Sequence, residues 1–231
     1  MVHGGEYYDD SVLVDDEVLK NLEELSALAP LHNPANVMGI KVMRELLPGK
    51  KNVAVFDTAF HQTMEPKAFM YALPYEDYNE LKVRKYGFHG TSHKYVSEVA
   101  REILGKEDSK IIVCHLGNGA SISAVQNGKV VDTSMGLTPL AGVMMGTRTG
   151  DVDPAAAFYV MEKRGLDLKG IDTRMNKQSG IKGIFGPSSD FRDLASEMEK
   201  GNERAILAYD MFCYKIKSYI GAYVAAMNGV D

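Results

Sequence analysis

Hydrophobic positions along the first part of the chain follow a helical period, then a strand period. Val18, Leu22, Leu25 and Leu28 recur at helical spacing, after Asp15 or Asp16 as N-cap and before Pro30. Asn33-Pro34 opens a second helix, with Pro at its first position. Its apolar face is Val37, Ile40, Met43 and Leu47, and Pro48-Gly49 ends it. Residues 52–56 form a continuous apolar run, which predicts a strand covered on both faces in a parallel sheet. Asp57 stands at its C-terminal end, where open α/β sheets place their ligands. From 58 to 74 the pattern is irregular, and the change of character places a domain crossing just after Asp57.

Tyr86-Gly87-Phe88-His89-Gly90 leads into a helix capped by Thr91 or Ser92, with Val96, Val99 and Ile103 on its face and Gly105 beyond its end. Residues 110–133 predict three short strands. Ile111–Cys114 is apolar, Gly117-Asn118-Gly119 is a turn, and Ser121–Val125 alternates small polar with apolar residues. Asn127-Gly128 is a hairpin signal, followed by Lys129-Val130-Val131. The Gly-Asn-Gly turn is open to two readings: a plain tight hairpin, or backbone N–H groups exposed to phosphate oxygens. A Gly-rich loop over 135–150 carries Arg148 between Gly146 and Gly150. Asp153-Pro154 opens a further helix that Gly165 closes, and Ser189 or Asp190 caps one that ends at Gly201. The longest helix spans 203–227, with Ile206, Tyr209, Cys213, Ile216, Ile220, Tyr223 and Met227 as a core-facing stripe.

Composition narrows the class. A chain of 231 residues is ample for a buried core. Its net charge of −5 gives no electrostatic case for nucleic acid or an anionic membrane surface. Apolar runs such as 220–227 fall far below the ~18 residues of a membrane span. The acidic N-terminus lacks the basic and apolar regions of a signal peptide, and two cysteines make no disulfide framework, so a reduced, cytoplasmic setting is expected. A long helix and a Gly turn predict a following strand, yet the chain stops; it opens as abruptly on Val2-His3-Gly4-Gly5. The expectation is the middle of a larger protein.

Several motifs stand together: VHGG (2–5), LAPLHNP (28–34), VAVFDTAFH (53–61), YGFHGTSH (86–93), HLGNGAS (115–121), MGTRTGD (145–151) and DFR (190–192). In this order they resemble the acetate kinases, and the resemblance covers essentially the whole chain. It implies an α/β fold of two domains, actin-like and ribonuclease H-like, as in the sugar kinases and heat-shock ATPases, with ATP in a central cleft. It implies reversible phosphoryl transfer from ATP to acetate, with Mg²⁺ or Mn²⁺, in a homodimer. By the resemblance, residues 1–58 are the C-terminal part of the first domain and 59–231 most of the second, incomplete at both termini. The family's Ser-rich phosphate loop, substrate arginine, adenine loop and metal-binding Asn and Glu then lie outside the chain, so no metal ligand is assigned within it and the chain alone is expected to be inactive.

The resemblance assigns roles residue by residue. Asp57, His89 and Arg148 match catalytic positions. His115, Leu116, Gly117, Asn118 and Gly119 match a phosphate-binding segment, and Asp190, Phe191 and Arg192 a second nucleotide segment. Val2, Leu31, Phe88 and Pro139 match the apolar pocket for the substrate methyl, and His32 an active-site histidine. Elementary chemistry supports part of this. Phosphoryl transfer spreads negative charge over three oxygens, which suits the planar donor fork of Arg148 and a donor on His89. A carboxylic acid with pKa near ~4–5 is already ionised and needs no base. That favours Asp57 in placing a metal or orienting Arg148 over the proton donor or acceptor of the family pattern. His61 and His93 read as structural. Three alternatives stay open: a propionate or butyrate kinase, a non-enzymatic actin-like nucleotide-binding module, and, more weakly, a sugar kinase.

Overall fold

The structure is a computed structural model describing residues 1–30 and 32–231; the pocket position Leu31 lies outside the described residues. Strand β1 (Val12–Leu13) precedes helix α1 (Asp16–Glu24), whose N-cap is Asp15, its carboxylate accepting from Val18 N. Helix α2 (Asn33–Leu46) starts with proline in its first turn, as the sequence predicts. Val18, Leu22, Leu25 and Val37 close a small core with Ala54 and Phe56. The run at 52–56 departs from expectation. Only β2 (Val53–Ala54) forms, and it pairs antiparallel with β1, not within a parallel sheet. Alternation decides its burial: Ala54 and Phe56 point inward, while Val53 and Val55 face solvent. Met1 adds two backbone bonds around Phe56, from its amino group to Val55 O and to its carbonyl from Asp57 N.

The irregular stretch after Asp57 contains a 3₁₀ turn (Ala59–Thr63) and two short helices, α3 (Pro66–Phe69) and α4 (Tyr75–Leu81). Helix α5 (Gly90–Leu104) ends on Gly105 as expected but is not capped by Thr91 or Ser92. His89 occupies the cap position in the left-handed region, without a side-chain cap bond. The face of α5 is also corrected. His93 and Ser97 are buried, while Val96 and Ile103 are exposed, and the His93 ring meets Ser121 of the sheet beneath.

That sheet is β3 (Lys110–Leu116), β4 (Ala120–Gln126) and β5 (Lys129–Thr133), an antiparallel meander in sequence order. Asn127 (φ 53°) and Gly128 (φ 75°) make the β4–β5 turn, both with the positive φ of a two-residue hairpin. Ala120 to Val125 are all buried. Because side chains alternate along a strand, Ala120, Ile122 and Ala124 enter a core with Phe88, Met135, Met145, Tyr223 and Met227. Ser121 and Ser123 point the other way, toward His89, His93 and His61.

Helices α6 (Pro154–Arg164), α7 (Leu168–Lys177), α8 (Gly180–Phe185) and α9 (Phe191–Glu199) follow the Gly-rich loop. Asp153 caps α6 and Asp190 caps α9. Helix α10 (Glu203–Ala226) crosses both large cores, and its predicted stripe is corrected in the N-terminal half. Ala205, Ala208 and Phe212 are buried there, whereas Ile206, Tyr209 and Cys213 are exposed; Tyr223 and Met227 are buried as expected. Ala205 and Ala208 let α10 approach α8 and α9, Phe212 fills the space beside them, and Ile206 and Tyr209 face outward.

Candidate active site

The site assembles where the loop after Asp57, the start of α5, the β3–β4 turn and the Gly-rich loop meet. Asp57 is fastened to α5 twice: Oδ2 accepts from His89 N at 2.9 Å, and its carbonyl from Gly90 N at 2.8 Å. A Cβ on Gly90 would collide with that carbonyl, so this approach requires glycine. His89 sits at φ 59°, an uncommon region for a residue with a side chain. Its ring is held by Ser121 Oγ at 2.8 Å from Nδ1 and by stacking on His115, ring centroids 4.1 Å apart. His115 is held by Ser92 Oγ at 2.9 Å.

Arg148 reaches the same place from the Gly-rich loop. Its Nη1 donates to Pro139 O at 3.1 Å. The loop neck is closed by Gly142 N donating to Asp151 Oδ1 and Asp151 N donating to Gly142 O. Tyr219 of α10 donates to the other oxygen of the Asp151 carboxylate, and Leu137 N donates to Tyr71 Oη. Gly119 lies between the two catalytic candidates. A Cβ there would stand 3.2 Å from Arg148 Nη1 and 3.6 Å from His89 Nε2. The sequence therefore leaves a side chain out at the point where a guanidinium and an imidazole converge.

Next to this point opens a cleft of about 510 Å³. Leu116, Gly117 and Asn118 form one wall, Gly146, Ser188 and Ser189 another, and Asp190, Phe191 and Phe212 the far side. The first nucleotide segment is only partly available for backbone binding. Gly117 N donates to Gly119 O, and His115 and Leu116 sit in the β3–β4 ladder. The N–H groups of Asn118 and Gly119 have no backbone acceptor among the described residues. Phe191 packs edge-on against Phe212, and Arg192 folds back onto Asp190.

Burial sets the charge state of the histidines. His89 is held down to about 4, chiefly by desolvation and then by His115, although Asp57 opposes the shift. His93 is held down to about 3 by desolvation with His89 and His115 beside it, and His61 well below its ordinary value. Desolvation also lowers the Arg148 pKa from its usual value.

Of the residues the sequence singles out, Asp57, His89, His115, Gly119 and Arg148 come together. Val2 and Phe88 share one apolar cluster, and the Pro139 carbonyl holds Arg148. His32 is exposed at the start of α2 and makes no side-chain bond to Asp57, His89 or Arg148 among the described residues. Sequence reasoning missed Ser121, Ser188, Ser189, Phe212, Asp151 and His3. The serine at every second position of β4 is the signal that points to Ser121. His3 is fully buried, edge-on to Tyr86, with Nδ1 accepting from Gly5 N.

Comparison with known proteins gives the family and the fold. The profile of the acetokinase family matches residues 1–231. The acetate kinase of Fusobacterium nucleatum subsp. nucleatum is 68% identical over 232 residues, covering 100% of this chain and 58% of that protein. The acetate kinase of Caldicellulosiruptor bescii is 60% identical with the same coverage. Among solved structures, Porphyromonas gingivalis acetate kinase superposes with a TM-score of 0.96 at 54% identity, covering 100% of this chain and 58% of that one. A propionate kinase from Francisella tularensis also superposes at 0.96, with 46% identity and 60% of its chain covered. The chain thus spans a little over half the length of the relatives it matches, and its α/β kinase fold is theirs. By motif order, fold and the family match along residues 1–231, the chain belongs to the acetokinase family.

Proposed function

We propose that the full-length protein is an acetate kinase, transferring the γ-phosphoryl group of ATP to acetate and back. The observation that carries this reading is the convergence of Arg148 Nη1 and His89 Nε2 on Gly119, beside the cleft. A carboxylate oxygen of acetate bonds to the γ-phosphorus as the bond from phosphorus to the β,γ-bridging oxygen breaks, and ADP leaves with that electron pair. No proton moves, because acetate is ionised at neutral pH. What remains is positioning and charge stabilisation. Arg148, preorganised by Pro139 O, and His89, fixed by Asp57, Ser121 and His115, donate to the equatorial oxygens of the transferring group. The N–H groups of Asn118 and Gly119 receive nucleotide phosphate oxygens, and the 188–192 segment with Phe212 receives the nucleoside end. Val2, Phe88 and Pro139 enclose the acid's methyl group.

Mg²⁺ or Mn²⁺ accompanies ATP in this reading and neutralises phosphate charge. Among the described residues no group of three His, Cys, Asp or Glu is placed to hold a metal. Mg²⁺ commonly binds through one or two carboxylates plus substrate phosphates. Asp57 Oδ1, which accepts no hydrogen bond among the described residues, fits as a protein oxygen for an ion carried in by the nucleotide. We take residues 1–58 as part of a first domain and 59–231 as most of a second, in a cytoplasmic homodimer. Among the described residues no helix is long and apolar enough to cross a membrane.

Assay of the full-length protein with ATP and acetate, propionate or butyrate tests the reading. Acetate is expected to have the highest kcat/KM, and because an apolar pocket separates one methylene by only ~1–3 kcal/mol, propionate should follow. A preference for propionate reassigns the acid, and transfer to none of the three overturns the reading. Asp57→Asn should raise the Mg²⁺ requirement as well as lower kcat; a changed pH–rate profile with unchanged Mg²⁺ dependence makes Asp57 a base instead.

A further inference from the structure

We propose that Ser121 and His93 form a hydrogen-bond relay that fixes the tautomer of His89, so that its Nε2 carries the proton and donates to the transferring phosphoryl group. The inference rests on the phosphoryl-transfer reading for the identity of the acceptor, but the relay is defined by geometry alone. Ser121 Oγ lies 2.7 Å from His93 Nε2 and 2.8 Å from His89 Nδ1. It makes no other side-chain bond among the described residues, and Ser121 is fully buried. A hydroxyl has one proton. Were both imidazoles to donate to it, that proton would be stranded in the interior, so the hydroxyl accepts from one ring and donates to the other.

His93 decides the direction. It is fully buried, and its Nδ1 has no partner among the described residues. A proton on Nδ1 would be an orphaned buried donor, which folded proteins rarely tolerate. His93 therefore carries its proton on Nε2 and donates to Ser121. Ser121 in turn donates to His89 Nδ1, and the neutral His89 ring is left with its proton on Nε2. That atom lies on the Gly119 side, where Arg148 Nη1 also arrives. In the opposite tautomer Nε2 would present a lone pair to anionic phosphate oxygens and repel them. The second serine of β4 repeats the pattern: His61 Nε2 lies 3.2 Å from Ser123 Oγ and its Nδ1 is unpartnered among the described residues. His93 and Ser121 thus act as positioning residues through His89 and do not themselves touch the substrate.

Nitrogen-15 NMR of the full-length protein labelled only at histidine reads the tautomers directly. The expected result is a protonated Nε2 and an unprotonated, hydrogen-bonded Nδ1 on His89, and a protonated Nε2 on His93. In Ser121→Ala the His89 signals should shift toward a mixture of tautomers while His61 is unmoved. The kcat should fall about tenfold, the scale of one lost orienting bond of ~1.4 kcal/mol, with the KM for ATP little changed. Ser121→Thr, which keeps the hydroxyl, should restore both. His93→Gln, which keeps a donor, should retain more activity than His93→Leu. A protonated Nδ1 on His89 in the unsubstituted protein overturns the relay, as does an unmoved His89 tautomer in Ser121→Ala. If the alanine variant does not fold, the spectrum of the unsubstituted protein decides alone. Loss of all phosphoryl transfer with the expected tautomers overturns the functional reading instead.

Discussion

Strand β4 is buried from Ala120 to Val125, whereas the segment through β2 leaves Val53 59% and Val55 50% exposed. The difference lies in neighbours. β4 has a strand on each edge, an apolar layer on one face and a histidine layer on the other. β2 has one two-residue partner and the backbone of Met1. Burying a side chain such as Ile122 contributes roughly 1.5–3 kcal/mol, and only the β4 region collects many such contributions. The site follows the same division. His89, His115, Gly119 and Arg148 belong to the well-packed region, while Asp57 comes from the lightly packed one. Two backbone N–H groups of α5 hold Asp57 in place, so the stable region imposes its geometry on the weaker one.

The comparison can be broken most forcefully at the charge the packed region supports. Arg148→Ala in the full-length protein should lower kcat by ~10²–10³-fold, as loss of a preorganised oxyanion donor does. Urea unfolding should be little changed, because the guanidinium is only half-buried. Wild-type turnover removes Arg148 from the reaction.

Stability separates the two regions next. Ile122→Ala, in the middle of β4, should cost ~2–5 kcal/mol. Val53→Ala, on the open face of β2, should stay within about 0.5 kcal/mol. Urea titration of both variants checks this, and equal losses erase the distinction.

The pH dependence of stability tests the buried histidines. His93 has a folded value of about 3 and His3 of about 4, both below the unfolded value of about 6.5. Between those limits the unfolded chain binds more protons, so stability rises with pH. It is complete above about pH 6.5 and is lost as the pH falls toward the folded values, at up to ~1.4 kcal/mol per unit for each histidine. Urea midpoints at about pH 7.5 and about pH 5 should fall in that order, and identical midpoints show that these rings are not desolvated.

Local chemistry made much of this legible. Asp15, Asp153 and Asp190 act as caps, Asn127-Gly128 turns the hairpin, and Gly105 and Gly165 end their helices. What the sequence concealed was tertiary. The buried face of α5 carries His93, which bonds to Ser121, and Ser97, so the apolar period there misleads. In α10 Ala205, Ala208 and Phe212 make the contact, while Ile206 and Tyr209 face outward. The run at 52–56 looks doubly covered, but only one of its faces has a cover. Within the site, motif order pointed to Asp57, His89 and Arg148. Ser121 lay hidden because its role depends on two histidines that approach from different turns of α5.

Replacing Gly119 by alanine probes the convergence without removing any charged or donating group. The added methyl would stand 3.2 Å from Arg148 Nη1 and 3.6 Å from His89 Nε2, filling the gap between them. Steady-state acetyl phosphate formation by full-length Gly119→Ala, with its fold verified by urea unfolding, should show kcat reduced at least ~10-fold, the scale of a slightly misplaced reacting group. Unchanged kcat and KM in a folded Gly119→Ala protein would contradict the placement of phosphoryl transfer between Arg148 and His89.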